Sequence, residues 1–151
     1  MMITLSRVRK LLWLSISKLI RLEYVFLYKL DIGKDVIISY RSYIDKGVPR
    51  KIHIGEGTWV LARATILAHD ICRGINTHTY IGKHCVVGIN SIIMPGVHVG
   101  DEVVIGGGCL VTKDVPDRCV VVGNPGRIIK TGIQVRNGRI INDGKRVEEK
   151  K

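Results

Sequence analysis

Five histidines, His53, His69, His78, His84 and His98, are the side chains of this 151-residue chain whose unperturbed chemistry suits proton transfer near neutral pH. Most of them stand where surface turns are expected. His69 differs, because Ile66-Leu67-Ala68-His69-Asp70-Ile71 carries an aspartate at a place that is small or aliphatic elsewhere in the chain. A histidine can take the proton of a hydroxyl, and an adjacent or cross-subunit carboxylate can fix its tautomer and support the imidazolium. His69 and Asp70 are therefore the candidate catalytic pair. The four cysteines, Cys72, Cys85, Cys109 and Cys119, form no C-x-x-C pair and no metal-ligand spacing, so neither disulfides nor a metal is expected. Buried thiols in a reducing cytoplasm are the simpler reading.

The elements that must hold these residues follow from a repeat. Ile81, Val87, Ile93, Val99, Ile105 and Val111 recur every sixth position, most often followed by glycine, with Ser91, Val97, Val103, Cys109 and Val115 at the fifth place. Such a hexapeptide period predicts a left-handed parallel β-helix, an all-β solenoid in which three hexapeptides close one triangular coil. Residues 18 apart should then stack, Ile81 on Val99, Val87 on Ile105 and Ile93 on Val111. Ile54, Val60 and Ile66 make an earlier coil, and Ile32, Ile38 and Ile44 a first one. The count slips by four residues near 49–53 and by nine near 72–80, so a loop insertion is expected at 72–80, looping outward from a corner. The solenoid is expected over 31–130.

Residues 1–30 are of another kind. Leu5, Val8, Leu11, Leu12, Trp13, Ile16, Leu19 and Ile20 alternate with Arg7, Arg9, Lys10, Lys18, Arg21 and Lys29, which predicts an amphipathic helix rather than a membrane span or a signal peptide. Two roles suit it: covering the open end of the solenoid, and peripheral contact with an anionic membrane. Residues 131–151 are polar, with turn signals at Asn137-Gly138 and Asp143-Gly144, and predict a short hairpin or tail. The formal net charge of +11 asks for an anionic partner. Few aromatics and no reading module argue against nucleic acid, which leaves a phosphate-bearing cofactor or a lipid surface.

Residues 81 to 130, with VTKDVP at 111–116 and GNPGR at 123–127, resemble the C-terminal half of the hexapeptide-repeat acyltransferases, the group of galactoside, maltose, serine and antibiotic O-acetyltransferases. ILAHD followed by a loop and TYIG is similar to the loop-borne histidine of the sugar and polysaccharide branch. The resemblance implies an O-acetyltransferase that uses acetyl-CoA as co-substrate, without a metal, as a homotrimer with intersubunit active sites. It implies direct attack of a hydroxyl, such as that of a sugar or surface-polysaccharide precursor, on the thioester. By the same resemblance Ile89 and Gly107 would border the pantetheine arm, and Thr112, Lys113, Arg127 and Lys130 would contact the cofactor. His78, just before the TYIG restart, competes with His69, since the serine branch places a histidine there. A cytoplasmic location, at the inner face of the membrane if the helix docks there, fits this chemistry.

Other readings share the solenoid. A serine-type acetyltransferase is one, although nothing here matches that branch's long N-terminal helical domain. A zinc enzyme resembling γ-type carbonic anhydrases is another, opposed because that group's H-x-x-x-x-H pair has no counterpart: His78 and His84 are six apart. A solenoid that only binds a partner is the third.

Overall fold

The computed structural model describes residues 5–48 and 50–147; the ends of the expected helix and tail, 1–4 and 148–151, lie outside the described residues. The chain begins with α1 (Leu5–Phe26) and continues through short strands: β1 (Asp31–Ile32), β2 (Ile37–Ile38), β3 (Tyr43–Ile44), β4 (Ile52–Ile54), β5 (Trp59–Val60) and β6 (Thr65–Ile66). The inserted segment holds β7 (His69–Asp70) and β8 (Ile75–Asn76). The solenoid resumes with β9 (Thr79–Ile81), β10 (Val86–Val87), β11 (Ile92–Ile93), β12 (His98–Val99), β13 (Val104–Ile105) and β14 (Leu110–Val111). It ends with β15 (Cys119–Val122), β16 (Arg127–Thr131), β17 (Gln134–Arg136), β18 (Arg139–Asn142) and β19 (Lys145–Arg146).

Successive strands go to different sheets, and strands one coil apart pair in parallel. The first sheet runs β1-β4-β9-β12, the second β2-β5-β10-β13-β15 before β16 and β19 close it, and the third β3-β6-β11-β14. Register puts Ile32, Ile54, Ile81 and Val99 in one column, Ile38, Val60, Val87, Ile105 and Val121 in another, and Ile44, Ile66, Ile93 and Val111 in the last. These side chains fill the axis and are buried. The expected left-handed β-helix, with both slips between coils, is the observed fold.

The hexapeptide's glycine has a steric cause. A Cβ on Gly82 would lie 2.4 Å from the carbonyl oxygen of Gly100, and one on Gly55 would lie 2.6 Å from the Gly82 carbonyl carbon. Coils at roughly 4.8 Å leave no room there for a side chain. The fifth-place residues Ala64, Cys85, Ser91, Val103 and Cys109 are buried where the chain turns. Burial pushes the Cys85 thiol up to about 12, so it stays protonated and unreactive.

Two local expectations are corrected. Val115 was expected at a fifth-place corner, but it bridges Val99 in the axial column. The turn from Val111 is two residues shorter than a full hexapeptide, because the Asp114 carboxylate accepts the His98 N–H at 2.8 Å and closes it early. The inserted loop, expected at 72–80, leaves the solenoid after Ala68 and rejoins it at Thr79. Tyr80 is a strand residue paired with His53 and His98.

α1 occupies the place of the coil that would precede the first. Ser17 Oγ accepts the Ile38 N–H at 2.7 Å, and Arg21 donates to the carbonyls of Gly33 and Ile32 at 2.8 and 3.2 Å. Those backbone groups face the open end and would otherwise lack partners. Trp13 packs on Trp59 with ring centroids 5.9 Å apart. Ser17→Ala should therefore lower stability by about 1–3 kcal/mol, because it strands a buried N–H; urea unfolding measures this, and an unchanged midpoint would remove the capping role from Ser17.

Beyond β15 the chain doubles back, and β17 and β18 form a hairpin through Asn137-Gly138, both at positive φ. Ile133 and Val135 pack with Val120 over Val86, Val104 and Val122, so the hairpin covers the second sheet. The Val135 N–H, at 2.9 Å, and Arg136 hold the Glu102 carboxyl below its ordinary value.

Candidate active site

His69 opens the inserted loop at the corner between the third and first sheets. Its Nδ1 is hydrogen-bonded to Asp45 Oδ2, from the residue that follows β3 one coil earlier. The Asp45 side chain is 0% exposed, whereas that of His69 is 32% exposed. Asp45 Oδ1 also accepts the Gly47 N–H at 3.0 Å, and Oδ2 the Ala68 N–H at 3.2 Å. A carboxylate only accepts, so the imidazole donates through Nδ1 and its Nε2 is left as a proton acceptor. Gly47, Val48, His69, Asp70, Ile71, Gly74, Ile75 and Asn76 line a groove of about 370 Å³ in front of the ring.

Asp70, expected to partner His69, turns elsewhere. Its carboxylate accepts Arg73 Nε at 2.6 Å and the Arg73 N–H at 3.1 Å, and the Arg73 contacts hold it below the usual carboxylate range. Neighbours along a strand point to opposite faces, so a side chain next in sequence is badly placed to meet the ring. The carboxylate on the ring is that of Asp45, which sequence reasoning passed over. One sign was present: Asp45 follows the axial Ile44 where the hexapeptide usually has glycine.

His78 lies on the outer face of the first sheet. His53 Nε2 and His78 Nδ1 are 2.8 Å apart, and His53 Nδ1 lies 3.0 Å from Asp31 Oδ2. The rings of His78, His53 and Tyr80 stack, with His53 and Tyr80 centroids 4.3 Å apart. This chain also ends in a carboxylate, but the Asp31 side chain is 77% exposed. It fixes its imidazole far less firmly than Asp45 does.

The expected cofactor contacts fall into separate places. Ile89 and Gly107 stack at the corner between the second and third sheets, where the Gly108 N–H bonds the Ile89 carbonyl at 2.8 Å. Thr112 and Lys113 lie at the corner between the third and first sheets, the corner that carries His69, about two coils or ~10 Å further along the axis. They share a cavity of about 240 Å³ with Asp114, Gly126, Arg127 and Ile128. Lys130 does not line it; its Nζ is bound to both Asp143 oxygens at 2.5 Å.

A hexapeptide solenoid bearing an Asp-held histidine on a corner loop is the class of protein these features define. The family model described as hexapeptide repeat of succinyl-transferase matches residues 79–113. "Putative acetyltransferase YvoF" of Bacillus subtilis (strain 168) is 38% identical over 109 residues, which are 68% of this chain and 61% of that protein. The chain thus spans less than two thirds of that relative's length. The maltose O-acetyltransferase from Clostridium difficile 630 is 28% identical with a TM-score of 0.50, over 68% of this chain and 66% of that one. A mutant of AntD, an N-acyltransferase from Bacillus cereus in complex with dTDP-4-amino-4,6-dideoxyglucose and coenzyme A, is 20% identical with a TM-score of 0.51, over 79% of this chain and 88% of that one. These likenesses bear out the resemblance to the hexapeptide-repeat acyltransferases. No helix among the described residues is long and apolar enough to cross a membrane.

Proposed function

We propose that the protein is an O-acetyltransferase that moves an acetyl group from acetyl-CoA to a hydroxyl of a sugar or surface-polysaccharide precursor, with His69 as general base. The observation that carries this reading is the buried Asp45 carboxylate on His69 Nδ1, on the same solenoid edge as the Thr112, Lys113 and Arg127 cavity. His69 Nε2 removes the acceptor O–H proton while that oxygen attacks the thioester carbonyl. The C–S bond breaks, and the imidazolium returns the proton to the departing thiolate, giving the acetyl ester and free CoA. Asp45 supports the imidazolium between the two transfers.

Acetyl-CoA would lie along the edge, its arm reaching from the Thr112 and Lys113 corner toward His69. Ile89 and Gly107 sit across the third sheet from that corner, so one cofactor meets both sets only in a groove between two copies. This supports the homotrimer, in which each active site draws on two subunits. A second reading takes His78 as base, favoured by its hydrogen-bonded chain to Asp31 through His53.

Calorimetric titration with CoA, followed by thioester-cleavage assays with sugar acceptors, tests the proposal. Saturation near one CoA per chain is expected. Lys113→Ala and Arg127→Ala should each weaken CoA about three- to tenfold at low salt and less at high salt, since both charges are exposed and screened. A dissociation constant unchanged at every salt concentration would displace the cofactor from this corner, and absence of CoA binding by the unaltered chain would end the acetyltransferase reading.

A further inference from the structure

The inward face of α1 is fully used in closing the solenoid, yet the helix has a second apolar face. Val8, Leu11, Leu12, Leu19, Leu22 and Phe26 are exposed, Leu19 by 67% and Phe26 by 72%. At 3.6 residues per turn they form one stripe on the side opposite Ser17. Leu27 continues it at 73% exposure. A helix apolar on both sides is normally buried on both, so this stripe lacks a partner in the single chain. Its borders are mainly basic: Arg7 and Lys18 flank one side and Arg9 the other, with Lys29 just beyond, all exposed and none in an ion pair among the described residues, while Glu23 on Arg9's side is paired with Lys46 at 3.1 Å.

Direction decides what can cover it. Ser17 and Arg21 bind backbone groups that point along the solenoid axis out of its open end. The opposite stripe therefore faces away along that axis, and copies packed side by side leave it uncovered. We infer that α1 docks this end of the protein on an anionic lipid surface, with the stripe at the acyl boundary and Arg7, Arg9 and Lys18 among the head groups. Charge complementarity selects a lipid surface over a second copy, because two such stripes meeting end to end would bring like basic borders together. Asp45 belongs to the coil that α1 covers, so the His69 and Asp45 pair stands within about one or two coil spacings, ~5–10 Å, of the cap helix. The docking itself does not depend on the reaction assigned to that pair.

The test is co-sedimentation of the purified full chain with vesicles of phosphatidylcholine alone or with about one third phosphatidylglycerol, at low and high salt. Binding to the anionic vesicles should be at least about tenfold tighter than to neutral ones and should weaken with salt. Leu12→Glu with Leu19→Glu should abolish that binding while leaving the thermal midpoint and the mass by light scattering unchanged. Arg7→Gln, Arg9→Gln and Lys18→Gln together should weaken it on the order of a hundredfold. No preference for anionic vesicles would overturn the inference. So would a fall in mass with the glutamate pair, which would assign the stripe to contacts between copies.

Discussion

His69→Ala should lower turnover by about 100-fold or more while leaving the CoA dissociation constant within about twofold, because a general base acts on the acceptor proton and general acid–base catalysis contributes roughly 10²–10⁴. His78→Ala is the matched comparison and should cost less than about threefold. Steady-state transfer to an active sugar acceptor, with calorimetry of CoA on the same variants, measures both. Full activity in the His69 variant and a large loss in the His78 variant would move the base to the Asp31, His53 and His78 chain. Asp45→Asn should fall between, about 10- to 100-fold. Asp45 receives two backbone N–H groups and the imidazole on its two oxygens, and an amide offers only one oxygen. At least one of those donors loses its acceptor, and the ring faces a neutral amide in place of the carboxylate that would support its imidazolium. Asp70→Asn should leave turnover nearly unchanged, since that carboxylate faces Arg73.

The largest stability effect is expected from Gly82→Ala. The added methyl would sit 2.4 Å from the Gly100 carbonyl oxygen and 2.5 Å from its carbonyl carbon, and neither can move without separating two coils. Overpacking of this kind costs about 3 kcal/mol or more when the obstacle is backbone, a large fraction of the total stability of a domain. Gly74→Ala isolates the other reason for a glycine. Gly74 has open space around it but a φ of +63°, so its cost should be only about 1 kcal/mol. Urea unfolding midpoints with a common slope make the comparison. Gly82 has no positive φ, so a loss there no larger than at Gly74 would show that the coils yield to the added methyl and that coil contact does not demand the glycine.

The solenoid was legible in the chain because its physics is periodic. Each axial aliphatic, from Ile32 to Val111, faces the same environment as its neighbours one coil away, so one rule repeated along the sequence specifies sheets, register and core together. The slips were legible for the same reason, since a displaced period marks where the chain must leave the prism. The cap helix showed in its pattern, and the corner that carries His69 in the rule that Asp70 breaks. What periodicity could not carry is which side chains meet across coils that differ in length. Asp45 stands 24 residues before His69, two more than the 22 that separate coil-mates such as Ile44 and Ile66, so only the folded loop brings them together. The same holds for the shortened turn that moves Val115 into the axial column, for Lys130 turning to Asp143, and for the stripe on α1 that points out of the open end. Local periodicity by itself determined the scaffold, because a solenoid is the same contact made many times. Tertiary structure alone decided the partner of His69 and the orientation of the cap, because each of those contacts is made only once.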